Sequence, residues 1–540
     1  MLGSPASSKW KQRSKRAKRM WRSKKSEPSV GNPGQIGWLT KTSYLFRLSF
    51  VNLASCTEGK GLLPSHTPTN LKLRYALLSV LGFLMIQMLV RDYIFPFTSD
   101  SPSYIGIAYQ MLNHNRIATN MGLSERPLPD TSLHWPFGFP AAIAFLHSLG
   151  VPITLAPILL SLLGASGTVG LLAFELSRVL SLKALLFALS WLVFVFPLTL
   201  ASCRACTEAL FLFLSLCAFL YVSGISAHKK QFFRLILLAF FCALATYVRF
   251  TGAFLAFSCA LAILFAKRLK RRSNLLVFLL SYSCLILPLI LWRIKTGDGP
   301  REQRLVPTST LFQAYSLGMI KDFFVPVLGI VIYPFILAVL GNRASSIAKL
   351  KTHTLVCHLS YLITGIGSLI ITGLFISHDG LDIRTQTPFV PSLIIVATHL
   401  ASKLNISKLL SFNQNLFLAT GILSAIFLFF SQFLRTQSLQ PTMPLAMTEI
   451  HIISQSLPKT QEKPILTTNP MIAVERPDLY FRTPLKAPNS LRIPFPLFLE
   501  KNPEHRGSLM VYGRELEQTL SSMVKPLLCT RLLCIGSIPK

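Results

Sequence analysis

TSDSPSYIGIAYQMLNHNRIATN (98–120), followed after a short polar run by HWPFGFP (134–140), is the first long polar stretch after a strongly apolar one. It places a carboxylate, Asp100, close to where the apolar stretch would leave a bilayer. A charge there is costly, so it is worth asking what the segment does. Its flanking residues, Tyr104 and Tyr109 on one side and His134, Trp135 and Pro136 on the other, are types that settle at membrane interfaces and shape binding grooves.

Working outward, the composition is that of a membrane protein. The chain has 540 residues, of which 51% are hydrophobic and only 14% charged, a balance that no soluble core explains. Apolar runs recur from about residue 75 to 434 at lengths near the roughly 20 residues needed to cross about 30 Å of hydrocarbon. They read as eleven spans, near 75–96, 153–177, 184–200, 207–224, 235–248, 252–266, 275–292, 323–340, 354–376, 388–402 and 415–434. The expected fold class is therefore an all-α polytopic membrane protein. The piece Phe137–Leu149 is too short for a span and reads as an amphipathic helix on the outer surface. Residues 1–70 lack a leading apolar run, so the first span is expected to act as the anchor.

The net charge of +33 suggests nucleic acid, but its distribution argues otherwise. Much of the excess lies in KWKQRSKRAKRMWRSKK (9–25), next to the first span, where it would bind anionic lipids and hold that end in the cytoplasm. With the amino terminus inside, the inner loops carry Arg178 and Lys183, then Lys229, Lys230 and Arg234, then KRLKRR (267–272), then Arg343, Lys349 and Lys351, and finally Lys403 and Lys408. Asp100, Glu125, Asp130, Glu208, Asp298, Glu302, Asp379 and Asp382 fall outside. Basic inner loops obey the positive-inside rule, and the segregated acids point to chemistry at the outer face.

An odd number of spans puts the tail outside as well. Within it, PILTTN (464–469), SLMVYG (508–513) and LLCIGSI (532–538) read as strands and RELEQTLSSMVK (514–525) as a helix, which suggests a small α/β module. Three regions result: a basic, largely disordered segment at 1–72, a transmembrane domain at 73–435 whose first outer loop is 97–152, and the module at 436–540. Most of the ten cysteines lie in or beside apolar runs as small hydrophobes. Cys203 and Cys206 form a CxxC with no second pair, a weak metal signal. Cys529 and Cys534 lie in the polar tail, where a disulfide can form outside the cytoplasm.

A carboxylate and several arginines facing one outward cavity suit transfer of a group from a phosphate leaving group to a hydroxyl. The carboxylate would take the acceptor proton, and guanidinium forks would hold phosphate oxygens as charge develops on them. Resemblance adds to this. SDSPSYIGIAYQMLNHNRIATN with HWPFGFPAAIAFLHSLG resembles the first outer loop of the GT-C glycosyltransferase superfamily, in members similar to protein O-mannosyltransferases and aminoarabinose transferases. CTEALFLFLSLCAFLY (206–221), ALATYVRFTGAFL (243–255) and RTQTPFVPSLIIV (384–396) resemble later stretches of that family in the same order.

The resemblance implies a polyprenyl-phosphate sugar as donor, an acceptor hydroxyl or amine, and action at the non-cytoplasmic face of the plasma membrane. Carried over, Asp100 is the catalytic base, Arg384 and Arg249 hold the donor phosphate, and Tyr104, His134, Trp135, Glu208, His378 and Asp379 line the pocket or meet the acceptor. Two departures stand out: Ser101 follows Asp100 where many relatives have a second carboxylate, and Phe137 stands where the family often has a second proline. No cofactor follows from the resemblance, and so few clustered acids give a divalent metal a poor site. The alternative is a lipid-linked sugar flippase or other polytopic transporter. That class predicts internal repeats and ionisable groups at mid-span, neither of which the sequence displays.

Overall fold

The computed structural model describes residues 69–123 apart from 92, 93, 95 and 99; residue 129; 136–223 apart from 178, 179, 181, 191 and 194–197; 231–266; 271–296; 352–375; 387–396; isolated positions between 419 and 426; 443–459; 463–483; 499–500; and 503–539. The chain divides after Leu62, and all described residues belong to the second unit. The basic segment up to residue 68 and the expected span 323–340 lie outside the described residues, as do residues 397–402 of the expected span 388–402 and most of the expected span 415–434.

The helices are α1 Thr69–Val90, α2 Ser101–His114, α3 Gly138–Ser148, α4 Ala156–Leu176, α5 Leu182–Ser190, α6 Leu198–Cys203, α7 Glu208–Ser223, α8 Gln231–Val248, α9 Gly252–Phe265, α10 Arg271–Thr296 and α11 Thr352–Phe375. Within the expected span at 184–200 the described residues include α5 up to Ser190 and the start of α6 at Leu198. Among the described residues, four helices are long and apolar enough to cross a membrane, Asn70–Val90, Ala156–Leu176, Gln231–Val248 and Arg272–Thr296. Two of them have little protein around them: Leu78, Met85, Met88 and Leu89 on α1 and Leu280, Leu291 and Ile294 on α10 are all more than half exposed. Apolar surface of this extent needs hydrocarbon for a solvent, and the chain is an integral membrane protein.

Without a hydrophobic drive between helices in lipid, close packing depends on small residues. On α4 Gly164 and Gly167, three residues apart on one face, meet α7: a Cβ at Gly164 would stand 2.6 Å from the Leu210 backbone nitrogen and one at Gly167 2.5 Å from the Phe213 ring. The core so formed joins Phe83, Val169, Leu172, Phe211, Leu212, Leu238, Leu255 and Tyr361. Gly138–Ser148 is an 11-residue helix, too short to cross a bilayer, as expected of it.

After the membrane helices, α12 (Met443–Gln455) leads into β2 (Ile465–Thr467), α13 (Ile472–Glu475), β3 (Phe481–Thr483), β4 (Leu509–Gly513), α14 (Glu517–Leu520), β5 (Lys525–Cys529) and β6 (Leu533–Ser537). The strand order is β1-β3-β2-β4-β6-β5, parallel from β1 to β4 and antiparallel beyond. Alternate residues face opposite layers, as the pleat requires: Ile465, Val511 and Ile535 pack with Ile450 and Ile453 of α12, while Leu466, Met510, Tyr512 and Cys534 pack with Leu520 and Val524. The helix expected at 514–525 is confined to a 3₁₀ turn, Arg514–Leu516, and α14. Cys529 and Cys534 are disulfide-bonded across the β5–β6 pair.

The first strand of this sheet comes from elsewhere. β1 is Met121–Leu123, at the end of the opening polar stretch, and it pairs with β3 in the register Met121↔Phe481. Asn120 clasps the join: its Nδ2 donates to the Pro477 and Leu479 carbonyls, both at 3.0 Å, and its backbone carbonyl accepts from Phe481 N at 2.9 Å. Gly106 on α2 makes room for it, because a Cβ there would collide with Asn120 Oδ1. Gly→Ala inside a helix ordinarily stabilises by up to about 1 kcal/mol. Here Gly106→Ala is expected to destabilise, and adding Asn120→Gly is expected to relieve the collision in part. Thermal unfolding in detergent checks the sign; a stabilised Gly106→Ala protein would show that the clasp yields freely.

A second buried polar group fixes β3 from the other side. Arg482 Nη1 lies 2.7 Å from His505 Nε2 and 3.5 Å from Glu504 Oε1. Burial, then the adjacent Arg482 charge, holds the His505 pKa down to about 4. An unfolded histidine titrates near 6.5, so between those values only the unfolded chain gains the proton. Stability from this neutral imidazole is thus complete above about pH 6.5 and lost as pH falls toward 4, by at most about 3 kcal/mol. Hydrogen exchange of β3 and β4 at pH 7.5 and 4.5 should show that loss in the natural chain and a smaller one in His505→Gln. Equal pH dependence in the two proteins would remove the role given to His505.

Candidate active site

Asp100 occupies the N-cap position of α2, with Pro102 in the first turn. Its side chain does not cap the helix, while its backbone carbonyl accepts the first intrahelical bond from Tyr104 N at 3.1 Å. A carboxylate at this end is favoured by the helix dipole. The next residue anchors it: Ser101 Oγ accepts from Thr98 N at 2.7 Å and donates to the Ala205 carbonyl at 2.9 Å. Ala205 N returns a bond to the Pro96 carbonyl at 2.7 Å. Thus Pro96 and Ser101 are both tied to Ala205, in the segment that leads directly into α7.

At the start of α7 is Glu208, buried with 1% of its side chain exposed. Arg249, in the turn between α8 and α9, meets it with Nη1 2.8 Å from Glu208 Oε1, and the same nitrogen is 3.3 Å from Thr207 Oγ1. The guanidinium keeps 21% exposure, so its charge is shared between the buried carboxylate and the open side. Ser161 on α4 ties down the same segment, donating to the Cys206 carbonyl at 2.9 Å. Cys203 and Cys206 are both buried and free of a disulfide, with Cys203 Sγ 2.7 Å from Gln87 Oε1 and Cys206 Sγ 3.1 Å from the Ala201 carbonyl oxygen.

The HWPFGFP motif enters the same end of the bundle. Phe137 packs edge-on against Tyr247 at 5.3 Å and Trp292 at 5.2 Å between ring centroids, and Arg293 lies over the Phe250 ring at 5.6 Å. Tyr104 is buried with its ring edge-on to Phe139 at 5.3 Å. Among the candidate residues, then, Asp100, Tyr104, Glu208 and Arg249 lie on neighbouring elements, and Glu208 and Arg249 touch. His134, Trp135, His378, Asp379 and Arg384 lie outside the described residues.

The C-terminal module forms one wall of this end. Ile105 of α2, Phe97 and Ala205 form a cluster with Val474 of α13. Tyr109, also on α2, has its pKa raised by burial and then by Asp478 of the module. Asn120, Ser101 and Thr207 escaped the sequence reading as parts of the site. Only for Asn120 was there a signal, its place as the last polar residue before Met121, and that is too common to interpret alone.

A helix-start carboxylate, a buried Arg–Glu pair, aromatic packing around Phe137 and a C-terminal module set against α2 together make up the candidate site. The chain is similar to the aminoarabinose transferase ArnT from Cupriavidus metallidurans in complex with undecaprenyl phosphate, with a TM-score of 0.55 over 86% of this chain and 99% of that one. The apo state of the same protein is similar with a TM-score of 0.52 and the same coverage. Identity is 13% in both, so the likeness is one of fold. No protein-family model and no curated protein matches the sequence.

Proposed function

We propose that the chain is a glycosyltransferase that moves a sugar from a polyprenyl-phosphate donor to an acceptor hydroxyl or amine at the non-cytoplasmic face. The observation that carries this reading is the anchoring of Asp100, through Ser101 and Ala205, to the segment that begins the Glu208–Arg249 pair. The shared fold supports it, since ArnT is a transferase seen with a polyprenyl phosphate. In this reading about eleven spans carry the site, the amino terminus and its lipid-binding basic segment are cytoplasmic, and the module at 436–540 is extracytoplasmic.

The acceptor O–H or N–H loses its proton to the Asp100 carboxylate as its heteroatom bonds to the anomeric carbon. The bond from that carbon to the phosphate oxygen breaks, and the polyprenyl phosphate leaves with the electron pair. Arg384 and Arg249 offset the charge gained by the leaving oxygen, where fixed donors in a site shielded from water act most strongly. Glu208 orients Arg249. Tyr104, His134, Trp135, His378 and Asp379 line the pocket or meet the acceptor. No step calls for a metal.

The test is reconstitution of the purified chain in liposomes with a panel of labelled polyprenyl-phosphate sugars and a membrane extract as acceptor source. Release of free polyprenyl phosphate with label in an acceptor is expected. Movement of the donor across the bilayer with no such release would replace this reading with that of a flippase.

A further inference from the structure

The module contains a cavity of about 290 Å³ whose lining does not include Asp100, at the carboxyl ends of β2 and β4. Those strands are parallel neighbours, but the chain leaves them in opposite directions. From β2 it passes through α13 to β3 on one side, and from β4 it goes to β5 and β6 on the other. Such a switch point opens a crevice that the connections do not cover, and ligands of open α/β sheets bind there. Thr468 and Asn469 at the exit of β2 and Gly513 at the exit of β4 line it.

We propose that this cavity holds one uncharged sugar ring of the acceptor, an inference that rests on the glycosyltransferase reading and names the acceptor as a glycan. Three observations carry it. No ionisable side chain lines the cavity, which disfavours phosphates and carboxylates, whose burial calls for a charged partner. The other walls are Ile450, Pro470, Leu532 and Leu533, apolar surface for the C–H face of a ring. Its volume is at the small end of ligand sites, roughly 300–1,000 Å³, which suits a single ring.

The polar side is built to donate. Asn469 Oδ1 accepts from Met471 N at 3.1 Å, which assigns the amide orientation and leaves Nδ2 as the group that faces a ligand. Its backbone is locked by Thr467 Oγ1, which accepts from Asn469 N at 3.0 Å and donates to the Asn469 carbonyl at 2.8 Å. Thr468 Oγ1 accepts from Gly513 N at 3.3 Å, so its hydroxyl proton also points to other acceptors. Sugar hydroxyls and ring oxygens supply them.

The opposite wall is held rigid before any ligand arrives. Buried Glu449 accepts from Leu532 N at 2.6 Å and from Thr530 Oγ1 at 2.8 Å, and the Cys529–Cys534 disulfide closes the loop that contains both. A wall fixed in advance lowers the ordering cost of binding.

Saturation-transfer NMR on the full-length protein in nanodiscs, with methyl glycosides of mannose, glucose, galactose and arabinose and with glucuronate as the charged control, tests this. At least one neutral glycoside is expected to bind, with affinity reduced about tenfold or more in both Asn469→Leu and Thr468→Val and unchanged in Asp100→Asn. Absence of neutral binding, equal binding by both cavity variants, or preference for glucuronate would overturn the proposal. Sugar transfer that persists without Asn469-dependent binding would overturn the cavity alone. Asn469-dependent binding in a chain that transfers no sugar would overturn the enzyme reading and leave the cavity standing.

Discussion

Asp100→Asn is expected to lower the rate of sugar transfer about 10²–10⁴-fold, the usual contribution of a positioned general base. The substitution removes the carboxylate and keeps a residue suited to the start of α2. Asn serves as well as Asp at an N-cap, and the Asp100 side chain makes no capping bond to α2. The anchor beside it belongs to Ser101 and the Ala205 carbonyl and is untouched. Thermal unfolding should therefore be close to that of the natural chain while initial rates of label transfer collapse. Asp100→Glu keeps a carboxylate but displaces it by one methylene, and should fall between the two. A variant protein with full transfer would remove Asp100 from the reaction.

Arg249→Ala is expected to have the largest effect on stability, up to about 3–5 kcal/mol, because it breaks an ion pair to a buried carboxylate. Glu208 is 1% exposed and its Oε1 is 2.8 Å from the guanidinium. Glu208→Gln with Arg249→Met removes both charges together and should recover much of that loss, since replacing a buried pair is far cheaper than breaking it. The two roles given to Arg249 separate in Arg249→Lys. A lysine keeps a charge for Glu208 but not the planar fork that suits phosphate. Unfolding temperature should stay near that of the natural chain while the Michaelis constant for the donor rises. A Lys variant with unaltered donor affinity would leave Arg249 with its structural partner only.

How much of this was legible beforehand depended on the cost of each residue's placement. Asp100, Glu208 and Arg249 stood out because ionisable groups beside apolar runs are expensive and are kept for a reason. Their sequence context was enough to nominate them, and Glu208 and Arg249 do form a pair. It could not reveal that they pair with each other. Tyr104 shared a helical face with Asp100 by spacing alone, a position consistent with orienting the carboxylate or with packing. In the fold its ring is buried against Phe139. Met121–Leu123 carried no strand signal, because three residues, one of them glycine, establish no alternation. Its partner strand begins some 360 positions away, as the 359-residue separation of the Asn120–Leu479 bond shows.

By itself the sequence determined that the chain is a helical membrane protein with a small α/β appendage. Hydrocarbon thickness dictates span length, and strands buried on both faces read as short apolar runs, as β4 and β6 do, so both are written in local pattern. Tertiary structure alone decided that the opening stretch is shared between two purposes. Its first residues join Asp100 to the start of α7 through Ser101, and its last, Asn120 to Leu123, complete the sheet of the module. Such joins depend on which distant backbone groups are left without partners once the helices have packed, and no local period records that.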